Sequence, residues 1–269
     1  MKRINIDFNK VYSSNQYGNY IILNEEPVIN GIRHVKIKFL DTGTIRVIKL
    51  GHALSGEIRD PFKPVYYGLG YTGNVNNCRS HILYNKWCAM MSRCYNKNNP
   101  YYNSYGGIGI RVDSRWYCFE TFIEDCKSLY NYDKFINNPS AYQLDKDYLQ
   151  QNIPHEQRVY SKDTCIFLSN EDNNYLHSLE QNSNKNIKCE YIGVCKCNSN
   201  SWEVKIRING KRHYIGCFSN PIAAANAYNY FYNKYRNNGI VNLVNDVPYM
   251  APDEFFKYNT NPKQMIKIV

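Results

Sequence analysis

The 269-residue chain carries 33 Lys and Arg against 23 Asp and Glu, a formal charge of +10, and 43% of it is hydrophobic. That length suits about two domains, and the apolar content excludes disorder over most of the chain. The positive excess makes polyanions, nucleic acid first, the leading partner class.

No run approaches about 18 apolar residues, and Met1-Lys2-Arg3-Ile4-Asn5-Ile6-Asp7 meets an acid before any apolar stretch, so neither a membrane span nor secretion is expected. Strands come first. Val35-Lys36-Ile37-Lys38-Phe39 alternates, Asp41-Thr42-Gly43 turns the chain and Ile45-Arg46-Val47-Ile48-Lys49-Leu50 follows, which predicts a hairpin in a small β barrel or sandwich over residues 1–60. Lys36, Lys38, Arg46 and Lys49 there read either as phosphate contacts or as a solvated strand face.

A Pro-, Gly- and Tyr-rich connection runs from Asp60 to Gly73. Leu83, Trp87, Met90 and Cys94 then fall at offsets of four, seven and eleven, the core stripe of an amphipathic helix opening near Arg79. Tyr105-Gly106-Gly107-Ile108-Gly109-Ile110 forms a tight bend, and Trp116, Phe119 and Phe122 supply further core. No strand-to-helix unit surrounds these glycines, so a nucleotide loop is not indicated. Residues 180–190 are almost wholly polar and predict a linker. The ten cysteines include no Cys-x-x-Cys, the closest pair being Cys195-Lys196-Cys197. Zinc and disulfides are therefore not expected, and the cysteines read as buried small hydrophobes in a reducing compartment.

In the last segment Trp202, Val204, Ile206 and Ile208 alternate with Glu203, Lys205 and Arg207, and Asn209-Gly210 predicts a two-residue hairpin turn. The implied register pairs Ile208 with Lys211, Ile206 with His213 and Val204 with Ile215, collecting Lys205, Arg207, Arg212 and Tyr214 on the opposite face. Such a ribbon suits a DNA major groove; a merely solvated basic face is the alternative. Asn220 caps a predicted helix beginning at Pro221, with Ala224, Ala227, Tyr228, Phe231 and Tyr235 as its stripe and Gly239 at its end.

Tyr191-Ile192-Gly193-Val194, Trp202-Glu203-Val204-Lys205-Ile206, Ile215-Gly216-Cys217-Phe218, Ala223-Ala224-Ala225-Asn226-Ala227-Tyr228 and Asn242 together resemble the plant ethylene-response-factor (Apetala) DNA-binding domain, over about a fifth of the chain. The resemblance implies a three-stranded sheet reading the major groove with a helix behind it, and makes Lys196, Trp202, Lys205, Arg207, Arg212 and Tyr214 candidate DNA contacts. Cys195, Lys196 and Cys197 stand where the plant domains carry more arginines, so base preference does not transfer.

The middle segment carries Tyr67-Gly68-Leu69-Gly70, Trp87 with Arg93-Cys94-Tyr95, Tyr105-Gly106-Gly107 with Gly109-Ile110 and Trp116, Leu144-Asp145-Lys146-Asp147, Tyr160-Ser161 with Cys165, and Glu171-Asp172-Asn173-Asn174. In this order they resemble phage HNH homing endonucleases of the His-Me finger type. That family clamps one divalent ion between a β hairpin and a helix, because cleaving a phosphodiester needs an activated water and a cation on the leaving oxygen. The resemblance assigns Asp145 and Asn173 as ligands of Mg²⁺ or Mn²⁺, with Asn174 the fallback; each also reads as a simple cap. Where the best-known members place a general-base His, this chain has Lys146. An ordinary lysine is protonated at neutral pH and cannot accept a proton, so Lys146 reads as a phosphate clamp. His155 is a candidate replacement base, or a solvent-exposed loop residue, and His177 a surface helix residue.

The expected fold is therefore α+β: a small β domain at 1–60, a His-Me finger nuclease module at 61–179, a linker at 180–190, a sheet-on-helix DNA-binding domain at 191–246 and a tail at 247–269. The expected function is that of a site-specific, metal-dependent DNA endonuclease or nickase of the homing type, acting on double-stranded DNA as a monomer or weak dimer in a bacterial host cytoplasm. The alternative is a non-catalytic DNA-binding protein, regulatory or architectural, with a degenerate nuclease module. An RNA-binding module with stacking tyrosines is a third class.

Overall fold

The computed structural model describes residues 5–174, 176, 191–208, 211–235 and 244–261. The chain is α+β and divides into two compact units, Met1–Phe167 and Leu168–Val269. The expected linker and His177 lie outside the described residues. No helix among the described residues is long and apolar enough to cross a membrane.

The first unit opens with an antiparallel sheet of β1 (Val11–Ser13), β2 (Asn19–Ile29), β3 (Ile32–Phe39) and β4 (Ile45–Lys49), in that spatial order. The expected hairpin is β3–β4, with Val35 opposite Ile48 and Ile37 opposite Arg46. Alternation buries Tyr20, Ile22, Val35, Ile37 and Phe39 on one face, where the short helix α1 (Leu50–Ser55) adds Leu50 and Ala53 to the same core. The Tyr20 hydroxyl donates to the Ala53 carbonyl at 2.5 Å. A single open sheet thus stands in place of a barrel or sandwich. One amphipathic helix supplies the apolar cover that a second sheet would otherwise provide.

Helix α2 (Tyr84–Tyr95) follows, entered through a 3-10 turn at Cys78–Ser80. The predicted stripe Leu83, Trp87, Met90 and Cys94 is buried throughout, against Trp116, Phe119 and Phe122. Trp87 Nε1 donates to the Trp116 carbonyl at 2.7 Å, so the large apolar ring is buried without orphaning its N–H. Helices α3 (Phe119–Cys126) and α4 (Tyr132–Asn137) complete this core, Phe135 stacking on Phe167 at 4.4 Å. Two small sheets lie in the same region: β5 (Arg111–Val112) runs parallel to β7 (Val159–Tyr160), and β6 (Tyr142–Asp145) pairs with β8 (Ile166–Ser169). A helix, α5, starts straight after β8 and is described over 170–174.

In the second unit β9 (Val194–Asn198), β10 (Ser201–Ile208) and β11 (Lys211–Phe218) form an antiparallel sheet in the order β11-β10-β9. Helix α6 (Pro221–Tyr235) packs on it, and the Asn220 side chain accepts from the Ile222 and Ala223 N–H groups at 2.8 and 3.1 Å, the predicted cap. Asn209-Gly210 lies outside the described residues, but the pairs Ile208–Lys211 and Ile206–His213 stand as expected. Val204 pairs with Gly216, not Ile215, because a bulge between Val204 and Lys205 inserts one residue in β11. Gly193 has φ +70°, and a Cβ there would collide with the Tyr228 ring, which lies against the start of β9.

The segment expected as a tail belongs to this module as far as residue 261. Asn226 on α6 donates to the Pro248 carbonyl at 2.9 Å and accepts from the Met250 N–H at 2.9 Å. Helix α7 (Pro252–Phe255) brings Phe255 to 5.9 Å from Tyr230, and Asn259 bridges to Phe218. Cys78, Cys94, Cys118, Cys126 and Cys165 are buried as expected, whereas Cys195 and Cys197 are exposed because β9 is an edge strand.

Candidate functional site

Asp145 closes β6 and is 5% exposed. Its Oδ1 accepts from the backbone N–H groups of Asp147 and Tyr148 at 3.0 and 2.8 Å, which turns the chain into a 3-10 segment; among the described residues Oδ2 takes no hydrogen bond. Burial pushes its carboxyl up to about 6, against the pull of those N–H groups. The capping use and the candidate ligand use coexist on separate oxygens.

Lys146 corrects an expectation. Instead of an exposed clamp it is 1% exposed, with Nζ donating to Asp147 Oδ1 at 2.6 Å and lying 5.1 and 5.5 Å over the Tyr105 and Tyr160 rings. Burying an ammonium without compensation is costly, and this side chain obtains a carboxylate and two ring faces. Asp147 Oδ1 also accepts from Arg158 Nη1 at 2.8 Å. Burial alone would raise the Asp147 carboxyl, but Lys146 and Arg158 outweigh it and hold it below the usual carboxylate range. Gln150 ties the turn to β7, donating to the Lys146 and Val159 carbonyls and accepting from the Val159 N–H.

Arg93 of α2 completes the cluster, its guanidinium 4.9 Å from the Tyr105 ring and 5.8 Å from the Tyr160 ring. Its Nε is buried without a hydrogen-bond partner among the described residues. Three cations, Arg93, Lys146 and Arg158, thus face two carboxylates, one of which resists ionisation. Sequence reasoning quoted Arg93 and Asp147 only as motif letters and missed Arg158. The alternation Asp145-Lys146-Asp147 is the signal that could have found them, since two acids buried at one strand end call for nearby cations.

His155 sits exposed in a 3-10 turn (His155–Gln157) between β6 and β7. In the second unit Asn173 is half-buried on α5 and Asn174 exposed. Among the described residues no three His, Cys, Asp or Glu side chains gather in a metal-binding group. A hard ion such as Mg²⁺ keeps several waters and takes one or two carboxylates, so Asp145 Oδ2 fits as a single donor while Asp147 is occupied by its cations.

The second candidate surface is the outer face of the three-stranded sheet. Val204, Ile206, Ile208, Ile215 and Phe218 are buried, and Lys205, Arg207, Arg212 and Tyr214 turn the other way. Arg207 and Arg212 are exposed and directly opposite one another, and neither is in an ion pair among the described residues. Like charges in a cross-strand pair are destabilising, so this arrangement favours an anion over the pair. Lys205 is paired with Glu203 at 2.7 Å. Trp202 and Lys196 do not join that face. They pair with each other in phase with Val204, with Lys196 Nζ 5.7 Å over the indole, at the rim of the face that α6 covers.

Asn245 was also missed. It accepts from the Ile192 N–H, donates to the Ile192 carbonyl and exchanges hydrogen bonds with Asn229, pinning the start of β9 to α6. Asn242, the position taken from the resemblance, lies outside the described residues. Comparison with protein-family models, curated proteins and solved structures returned no match.

Proposed function

We propose that this protein is a metal-dependent DNA endonuclease or nickase of the HNH, His-Me finger type that selects its site through the outer face of the C-terminal sheet. The observation that carries the reading is the Asp145 turn: a buried carboxylate at a strand end with Oδ2 left over, beside a cluster in which cations outnumber carboxylates. The pairing of β6 with β8, followed directly by α5, supports it, with β7 lying in the connection between the two strands. Duplex DNA is the substrate whose charge both candidate surfaces match.

In this reading Asp145 would hold a Mg²⁺ or Mn²⁺ ion through the oxygen that the turn leaves over. When bound, that ion stabilises the developing charge on the leaving oxygen and lowers the pKa of a bound water. Arg93, whose Nε has no hydrogen-bond partner among the described residues, orients the phosphodiester through charge. Lys146 is not the base, because its Nζ donates to Asp147. His155, in the turn between β6 and β7, is the candidate proton acceptor. Incubation with phage or host DNA and either metal is expected to give strand breaks that vanish in Asp145→Ala.

The second reading, a DNA-binding protein without cleavage, is favoured by one observation: Asp145 Oδ1 is already committed to the turn. Unbroken DNA in both metals, with binding retained, would select it. Both readings share an expectation for the sheet. Arg207→Ala and Arg212→Ala should each weaken duplex binding by about tenfold and lower the slope of log affinity against log salt by about one. A titration series at several salt concentrations measures both.

A further inference from the structure

The N-terminal sheet carries a cleft of its own. Its cavity of about 390 Å³ is bordered by Arg46, Lys49 and Arg59, by His34 and His52, and by one carboxylate, Glu57. The volume lies in the range of small-ligand sites. Strand pairing sets Lys49 opposite His34, and the αL residue Gly56 turns the chain after α1 so that 57–59 returns along the cleft. Arg46 Nη1 donates to the Arg59 carbonyl at 2.6 Å, which fixes its guanidinium in place without neutralising it.

The pattern of ion pairing marks this cleft out. Elsewhere in the same module Arg33, Lys36 and Lys63 lie 2.7, 2.9 and 2.6 Å from Glu25, Glu26 and Asp41. Arg46, Lys49 and Arg59 are in no ion pair among the described residues, Arg59 donating instead to Thr72 Oγ1 and Cys78 Sγ. Glu57 faces His52 at 3.6 Å, so the lone acid is directed to a histidine and not to these cations. A guanidinium and an ammonium bordering one cleft at an edge strand, neither paired with a carboxylate among the described residues, suit a phosphate, whose oxygens accept from both.

We propose that this cleft binds a phosphate group, with Arg46 and Lys49 as its contacts, the phosphate belonging to a nucleic-acid strand or to a small phosphorylated compound. The site shares no residue with the Asp145 cluster or with the outer face of the C-terminal sheet, and stands whether or not the protein cuts DNA.

The test uses the full chain with Lys49→Glu, and Lys38→Glu as the control, since Lys38 is an exposed β3 lysine outside the cleft and gives the same change in net charge. Binding of a labelled duplex across a salt series forms one arm, and titration with a deoxynucleoside monophosphate the other. Lys49→Glu is expected to lose about tenfold in one arm, at an unchanged melting temperature, where Lys38→Glu loses no more than about twofold. Loss confined to the duplex arm assigns the phosphate to a strand, and loss confined to the mononucleotide arm assigns it to a small compound. Equal effects of the two substitutions in both arms overturn the proposal. Arg207→Ala run alongside separates this from the sheet: if it leaves duplex affinity unchanged, the groove-reading surface fails while the cleft is still judged by Lys49→Glu.

Discussion

Asp145→Asn is expected to make the protein more stable near neutral pH and to abolish cleavage. Burial raises the Asp145 carboxyl to about 6, against about 3.9 in an unfolded chain. Below both values the group is protonated in either state and costs nothing. Between them the folded chain keeps a proton that the unfolded chain has released. Above 6 the folded chain must hold a buried carboxylate, so the group's contribution to stability is lost as pH rises through that window, by about 2 to 3 kcal/mol in all. An asparagine keeps the oxygen that accepts from Asp147 and Tyr148, so the turn survives without the buried charge. We expect a melting temperature about 5 °C above the parent near pH 7.5, with the gap closing toward pH 4. Magnesium should raise the melting temperature of the parent and not of the variant. A variant less stable than the parent at neutral pH would show that Asp145 is a structural carboxylate, and would remove the metal site with it. Stability sacrificed at one residue for chemistry is a common feature of functional sites.

What a sequence makes legible here follows from how local each determinant is. The stripe Leu83, Trp87, Met90 and Cys94 and the alternation of β3, β4 and β10 are periodic, and a period needs only neighbours to be read; all of these elements stand. Asn220 is legible for the same reason, since a cap binds N–H groups two and three residues away. The bulge opposite Val204 is not, because it depends on how β11 accommodates the twist of its partner. That single inserted residue moved Val204 onto Gly216. Lys146 illustrates the limit at the candidate site. Its burial rests on Asp147 beside it, but also on Tyr105 and Tyr160, brought from 41 residues before and 14 after by the packing of α2 and β7. A charged residue read alone is assigned to solvent, and only a partner list from distant segments overturns that. The division at Phe167/Leu168, within β8, is likewise invisible in composition.

Gly106→Ala should be the most damaging single-methyl change in the first unit. Gly106 lies against the end of α2: a Cβ at this position would fall inside the Cys94 carbonyl group, 2.6 Å from its carbon, and 2.8 Å from the Tyr102 ring. A flexible side chain can retreat from such a contact; a helix carbonyl cannot without shifting the turn that carries it. The bend is itself cross-braced, the N–H groups of Ile108 and Ile110 both donating to the Tyr105 carbonyl. Displacing it therefore moves Tyr105, the ring beneath Arg93 and Lys146. We expect a loss of about 4 kcal/mol in denaturant unfolding, a large fraction of the stability of an ordinary domain. Gly107→Ala is the control. Its nearest neighbour is the Tyr102 carbonyl oxygen at 3.1 Å, so a small adjustment suffices and about 1 kcal/mol or less is expected. At temperatures where the Gly106→Ala protein remains folded, cleavage should fall even so, because the buried cations lose the ring that helps to hold them in place. Duplex binding through Arg207 and Arg212, in the other compact unit, should persist. Equal stability of the two alanine variants would mean that the bend is free to slide on α2, and Tyr105 could not then be the fixed support of the cluster.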